Sequence, residues 1–283
     1  LYNCYPWART VKVMNPLSSD LGVMRQTLLF GGLESIVRNV NRKARNLRFF
    51  EVGNVYHFDE ERYTTESPIK AYQQRYHLAL WVTGHRVEGN WAHPDEESSF
   101  FELKAYVENV LRRVGLQAGQ VVTEVSDNNI FDKGLRMKTR GGKVLVDMGI
   151  VNHHVLRRFD IEQPVYYAEI DWTELMKATR KNSLLFQELS KYPAVSRDLA
   201  LLVDANVEFA QIEQIARQTE KKLLKQVVLF DVYQGKNLPE GKKSYAVNFI
   251  LQDESRTLTD KAIEAIMQKL MKNLTTKLHA ELR

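Results

Sequence analysis

The sequence predicts an α+β protein in two domains, each built on antiparallel strands. Three observations carry this expectation. The chain has 283 residues, which at roughly 100 to 200 residues per domain argues for two sizeable cores. Its first part alternates helical and extended segments, and two of the strands are joined by a long polar loop, the arrangement of an antiparallel pair. Its last part runs β-α-β-β-α in compact order, with a regular hydrophobic period in each piece.

Composition narrows the class. Hydrophobic residues make up 44% and charged residues 27%, as in an ordinary globular protein. No apolar run approaches the roughly 18 residues of a membrane span, and "LYNCYPWART" lacks a basic region followed by an apolar one, so no membrane is expected and a cytoplasmic location is. Cys4 is the single cysteine; it has no partner for a disulfide or a metal knuckle, which suits a reducing compartment. The chain opens on Leu1 without an initiator Met, which suggests part of something longer. A net charge of +5 and a pI near 9.1 permit nucleic-acid binding without demanding it.

In chain order, Leu33, Ile36, Val37 and Val40 recur at helical spacing and run into "RNVNRKARNLR" (38 to 48), which holds Arg38, Arg42, Lys43, Arg45 and Arg48 and no acid. The expectation is a helix with one buried stripe and one basic face, either simply solvated or phosphate-binding. "LRFFEVGNVYHF" (47 to 58) and "YHLALWVTGH" (76 to 85) read as strands joined by "DEERYTTESPIKAYQQR". "FFELKAYVENVLRRVGL" (100 to 116) puts Leu103, Val107, Val110 and Leu111 on one face of a helix ended by Gly115. "KVLVDMGIV" (143 to 151) and "VYYAEID" (165 to 171) read as strands again, with His153 and His154 placed on strand as well.

Around "KATRKNSLLFQELS" (177 to 190) the pattern resets, which divides the chain into domains at 1–181 and 188–283. Strand 197 to 204, helix 209 to 220, strand 224 to 234, a turn, and strand 244 to 252 follow. A long helix closes the series, capped by Thr257 or Thr259 with Asp260 complementing its dipole, and striped by Ile263, Ile266, Met267, Leu270, Leu274 and Leu278. This order is that of a split βαβ, ferredoxin-like sandwich, whose last short strand is the terminal "AELR".

At this point the residues are familiar. "NPLSSDLGVMRQTLLFGGLESIVRN", "LRFFEVGNVY" and "FFELKAYVENVL" resemble the synthetase-like module in the beta subunit of bacterial phenylalanyl-tRNA synthetase. "KYPAVSRDLALLVD", "LFDVYQG", "PEGKKSYAVNFILQDESRTLTD" and "AELR" resemble that subunit's C-terminal anticodon-binding domain. The match runs nearly end to end in the family's order. It implies a class II synthetase-like antiparallel sheet module followed by a ferredoxin-like βαββαβ sandwich. It also implies an α2β2 heterotetramer that charges tRNA-Phe with phenylalanine in protein biosynthesis. In that enzyme the alpha subunit is catalytic, the beta subunit holds a degenerate copy of the class II fold, and ATP and magnesium belong to the assembly. The family's N-terminal tRNA-binding and editing modules resemble nothing here, so editing is not expected of this chain.

The degeneracy can be followed residue by residue. Class II modules carry Phe-Arg-x-Glu or Phe-Arg-x-Asp on one strand; the matching stretch is Val55-Tyr56-His57-Phe58-Asp59, with His57 at the arginine position. Their Gly-x-Gly-x-x-Arg motif matches Glu169-Ile170-Asp171-Trp172-Thr173-Glu174, so that Glu169, Asp171 and Glu174 stand where glycines and an arginine would contact nucleotide. A charge-assisted hydrogen bond is worth about 1.5 to 3 kcal/mol, and reversing the charge turns attraction into repulsion. No catalytic residue and no bound cofactor are therefore expected in this chain. Two other readings of the acids stay open: helix capping, and a hard-cation site in a metal-dependent enzyme, which tight metal binding lost on neutralising them would reveal. "GIVNHHVL" resembles a stretch upstream of the last class II motif and reads as scaffold; adjacent histidines without cysteine make a poor zinc site.

In the second domain Tyr192, Arg197, Lys242, Lys243 and Arg256, with Tyr233, Tyr245 and Phe249, interleave aromatic and basic residues as RNA-loop binders do. Tyr245, Val247 and Phe249 alternate, however, and that strand face suits a core equally. Residues 188 to 283 hold 15 basic and 13 acidic side chains, so any RNA contact is local and salt-sensitive. A stand-alone RNA-binding or scaffold protein is the other class, separated by whether the native protein co-purifies with a catalytic partner.

Overall fold

The computed structural model describes residues 4–18, 21–183, 186 and 188–283, arranged as two compact units, Leu1–Leu185 and Phe186–Arg283. Leu184, Leu185 and Gln187, in the stretch read as the boundary, lie outside the described residues.

The first unit is a six-stranded, wholly antiparallel sheet. Its strands are β1 (Leu47–Phe58), β2 (Tyr72–Thr83), β5 (Val121–Val125), β6 (Phe131–Thr139), β7 (Val144–Val151) and β8 (Val165–Asp171), in the order β1-β2-β8-β7-β6-β5. A small pair, β3 (His85–Val87) and β4 (Glu96–Glu97), lies apart from it. Helices cover both faces. On one, α1 (Leu29–Val40) and α3 (His153–Arg158) bury Leu29, Leu33, Ile36, Val155 and Leu156 against Ala79, Trp81, Val165 and Tyr167. On the other, α2 (Phe100–Arg113) and α4 (Trp172–Thr179) bury Leu103, Val107, Leu111 and Leu175 against Leu78, Val82, Ala168 and Ile170. With both faces buried, the central strands β2 and β8 read as almost continuous apolar runs, because successive side chains point to opposite layers.

Local chemistry sets the helix positions. Ser99 caps α2 by accepting from the Glu102 N–H at 3.3 Å. A Cβ at Gly32 would sit 2.1 Å from the Trp81 ring, so only glycine lets α1 lie this close to the sheet.

Two sequence expectations need correction here. The basic helix ends at Val40, well short of Arg48. Lys43 takes a left-handed backbone (φ 70°) while the Ala44 N–H bonds Asn39 O and the Lys43 N–H bonds Val40 O, a Schellman stop with lysine where glycine is usual. The stop leaves only Arg38 on the helix and places Arg42, Lys43 and Arg45 in the turn and link, with Arg48 on β1. His153 and His154 begin α3 rather than continuing β7, because Asn152 caps that helix through the His154 N–H; their rings lie 3.9 Å apart, centroid to centroid.

The second unit runs β9 (Val195–Asp204), α5 (Phe209–Thr219), β10 (Leu224–Tyr233), β11 (Lys242–Leu251), α6 (Asp260–Leu278) and β12 (Glu281–Leu282). The sheet order β10-β11-β9-β12, with every pairing antiparallel, is the ferredoxin-like sandwich. Both helices lie on one face over Leu201, Val203, Tyr245, Val247, Phe249 and Leu251. Thr259 caps α6 through the Ala262 N–H, and Glu208 and Gln211 form a capping box on α5. No described helix is long and apolar enough to cross a membrane.

Candidate functional site

Along β8, Val165, Tyr167, Glu169 and Asp171 share the α1 face, so one row of side chains leads from the core into an open cleft. The cleft measures about 730 Å³ and is lined by His57, Arg75, His77, Arg136, Tyr167, Glu169 and Asp171 among others. Register explains the gathering: His77 of β2 pairs with Asp171 and Ala79 with Glu169, which sets the imidazole beside both carboxylates.

Glu169 is almost wholly enclosed by donors. Its Oε1 accepts from His77 Nδ1 at 2.8 Å and from the Leu28 backbone N–H at 3.2 Å, and its Oε2 from Thr27 Oγ1 and the Tyr167 hydroxyl, each at 2.7 Å. Thr27 Oγ1 also accepts from the Leu29 N–H. Glu169 therefore caps α1 across 141 residues of sequence, at the end of the helix whose dipole favours an anion. Burial pushes its carboxyl upward, but the hydrogen bonds from His77, Thr27 and Tyr167 outweigh that and hold it below the usual carboxylate range. Burial, and then the Glu169 charge, raise the Tyr167 phenol well above its ordinary value, which keeps the phenol a donor.

The neighbouring acids are committed too. Asp171 Oδ1 caps α4 by accepting from the Glu174 N–H at 2.9 Å, while Oδ2 pairs with Arg75 Nη1 at 3.0 Å. Glu174 pairs with Lys177 at 2.8 Å, and that contact lowers its carboxyl. His57 faces the same cleft; burial, and then Arg75 and His77, hold its pKa below the ordinary value, so it is neutral at pH 7. Arg136 bridges Asp127 at 2.6 Å and Asp147 at 2.9 Å.

The donors of the turn are already engaged. The N-terminus of α4, which could have offered N–H groups to a phosphate, already carries the Asp171 and Glu174 carboxylates. A further anion about 4 Å from either carboxylate would be repelled by that one by about 4 kcal/mol at an effective dielectric near 20. Among the described residues no three His, Cys, Asp or Glu side chains converge on a point where a metal could sit. The residues of the cleft join the α1 and α4 termini and the centre of the sheet in one polar network.

In the second unit, the candidate RNA contacts fall at two ends of the sheet. Tyr192, whose carbonyl accepts from Gln252 Nε2, Arg197, which lies 3.9 Å from Asp260, and Arg256, 3.2 Å from Asp253, gather where β9 begins and β11 ends. Lys242 stands at the other end of β11, about 30 Å away at roughly 3.4 Å per residue. Its ammonium pairs with Glu281 at 2.8 Å, which raises its pKa.

Lys243 is a correction. It alternates with Tyr245, Val247 and Phe249 on the helix-covered face, is 8% exposed, and sets its ammonium 4.8 Å from the centre of the Tyr245 ring, so it is spent inside the fold. Tyr245 and Phe249 are core for the same reason. The sequence reading missed Arg283. The terminal strand returns beside β9 and brings its guanidinium 5.2 Å from the centre of the Tyr233 ring, at the Lys242 end of the sheet. The period-two alternation of β11 carried the signal for Lys243; only the pairing of the last strand could have shown Arg283.

Residues 2–172 match the family model described as the phenylalanyl tRNA synthetase beta chain CLM domain, and residues 190–283 match the ferredoxin-fold anticodon binding domain. Phenylalanine--tRNA ligase beta subunits of Bacteroides thetaiotaomicron, Bacteroides fragilis and Porphyromonas gingivalis are 57%, 56% and 50% identical, over 96%, 99% and 99% of this chain and 33%, 34% and 34% of theirs. The chain thus spans about a third of the length of the curated relatives it matches. A solved pyrrolysyl-tRNA synthetase from Desulfitobacterium hafniense overlaps 62% of this chain and 55% of its own at 13% identity and a TM-score of 0.45, a likeness too loose to bear on function.

Proposed function

The chain belongs to the phenylalanyl-tRNA synthetase beta-chain family, and from that premise we propose that it is a non-catalytic part of a phenylalanine--tRNA ligase. Its first unit supports a catalytic alpha subunit, and its second presents a sheet to the anticodon stem-loop of tRNA-Phe. ATP, magnesium and phenylalanine are then handled at the partner's site within an α2β2 assembly.

The observation that carries this reading is the commitment of every acid at the strand-to-helix turn. Glu169 is taken by four donors, Asp171 by a helix terminus and Arg75, and Glu174 by Lys177, which supports a structural task for these acids. A surface for the partner is also available. The edge strand β1 exposes Phe50 at 74% and Val52 at 44%, apolar side chains that an assembly would cover.

The RNA part is tested by Lys242→Ala with Arg256→Ala in the reconstituted enzyme at physiological salt. Both side chains are on exposed ion pairs, so stability is expected to change by less than about 0.5 kcal/mol. KM for tRNA is expected to rise roughly threefold to tenfold with kcat near its original value, the pattern of a lost positioning contact. Unchanged kinetics would remove these residues from the contact.

A further inference from the structure

We propose that the turn joining α1 to β1 is a second RNA-backbone contact, in which Arg38, Arg42, Lys43 and Arg45 neutralise phosphates of the bound tRNA. The assignment rests on the tRNA reading given above and adds a site on the first unit, which nothing in the anticodon-domain argument requires.

All four side chains are exposed, and none makes an ion pair or a side-chain hydrogen bond among the described residues. Six other arginines of the same unit, Arg25, Arg48, Arg62, Arg75, Arg86 and Arg136, each hold a carboxylate within 3.1 Å, whereas four adjoining cations without one are gathered at this turn. Glu34 precedes Arg38 by one helical turn, at the spacing that favours an ion pair, and the pair is not made.

The helix dipole favours cations in the last turn of α1 and so accounts for Arg38, with Arg42 just past the helix end. That effect fades beyond the turn and gives no reason for Arg45, in the link to β1. Lys43 is stranger still. It fills the left-handed position of the Schellman stop, where glycine avoids the steric penalty of a side chain. A lysine in this backbone conformation is an outlier whose charge asks for a use.

Chemistry restricts the partner. No aromatic side chain lies between Arg38 and Lys43 to stack a base, so the turn is suited to phosphate contact that is indifferent to sequence. The concavity beside the turn has Glu88, Asp95 and Glu97 on its other wall, which places an RNA strand along the outer ridge rather than inside it.

The test is the salt dependence of tRNA binding by the full-length beta chain assembled with its catalytic partner, probed with unmodified tRNA-Phe transcript. Removing Arg42, Lys43 and Arg45 together (Arg42→Ala, Lys43→Gly, Arg45→Ala) is expected to make the slope of log K against log salt shallower by about 2, at roughly 0.7 to 0.9 per phosphate contact. Affinity near physiological salt is expected to fall roughly tenfold. Lys43→Gly alone relieves the left-handed strain, so its thermal midpoint is expected to hold or rise while the slope still falls by about 0.7 to 0.9. An unchanged slope overturns the proposal. Loss of subunit assembly with normal RNA binding overturns it equally, because the turn would then be a protein contact. If the Lys242 and Arg256 variant shifts tRNA binding and the turn variant does not, this site alone fails; if neither does, the tRNA reading fails with it.

Discussion

Glu169→Ala is expected to destabilise the first unit by about 3 to 5 kcal/mol, the range for breaking a buried, hydrogen-bonded charge and leaving its partners unpaired. The substitution strands the His77 imidazole, the Tyr167 hydroxyl, Thr27 and the Leu28 N–H at once, and it opens the N-terminus of α1. Glu169→Gln keeps the shape but loses the anion, and about 1 to 3 kcal/mol is expected. Chemical denaturation of the two variants and the parent checks both values. The pH dependence has a definite sign. Folding holds the Glu169 carboxyl below its ordinary value, so its contribution is complete above that value and is lost as the pH falls through the depressed one. The parent's midpoint should therefore fall in acid more steeply than that of Glu169→Gln.

Phe249→Ala is expected to cost the second unit about 3 to 5 kcal/mol, as large-to-small changes of a buried phenylalanine do. The ring is 0% exposed between the sheet and its helices, among Val247, Leu251 and Ile263. The alternative, a base-stacking platform, would leave the fold intact and remove RNA affinity worth about 1 to 3 kcal/mol per stacked base. A fall in the unfolding midpoint without salt-dependent change in RNA binding by the remaining folded protein identifies the core role. The reverse result would turn the sheet over.

These two residues show what the sequence could and could not disclose. Phe249 was legible in principle, because Tyr245, Val247, Phe249 and Leu251 alternate at the period of a strand; extending the same row two residues back would have enclosed Lys243. Strand β8 was readable at both ends, since an apolar run buried on both faces stops at Asp171, where a helix cap begins. Strands β5 and β6 were missed. Thr123, Glu124, Lys133, Arg136 and Lys138 interrupt their apolar residues, because β5 is a sheet edge and β6 turns charged side chains toward solvent and the cleft. The basic helix was drawn too long because its stop is built on a lysine, and the usual signal for that stop is glycine. Glu169 was noticed as an acid at a motif position, but its task was invisible: the N–H it caps lies 141 residues earlier, and no local pattern records a long-range cap.

The central claim is that the strand-to-helix turn of the first unit is occupied by its own acids and takes no nucleotide. Equilibrium dialysis of Mg-ATP against the assembled enzyme tests it most directly. One nucleotide for each pair of one alpha and one beta chain is expected, with the same count after Glu174→Gln. Two nucleotides per pair, the second abolished by Glu174→Gln, would contradict the account.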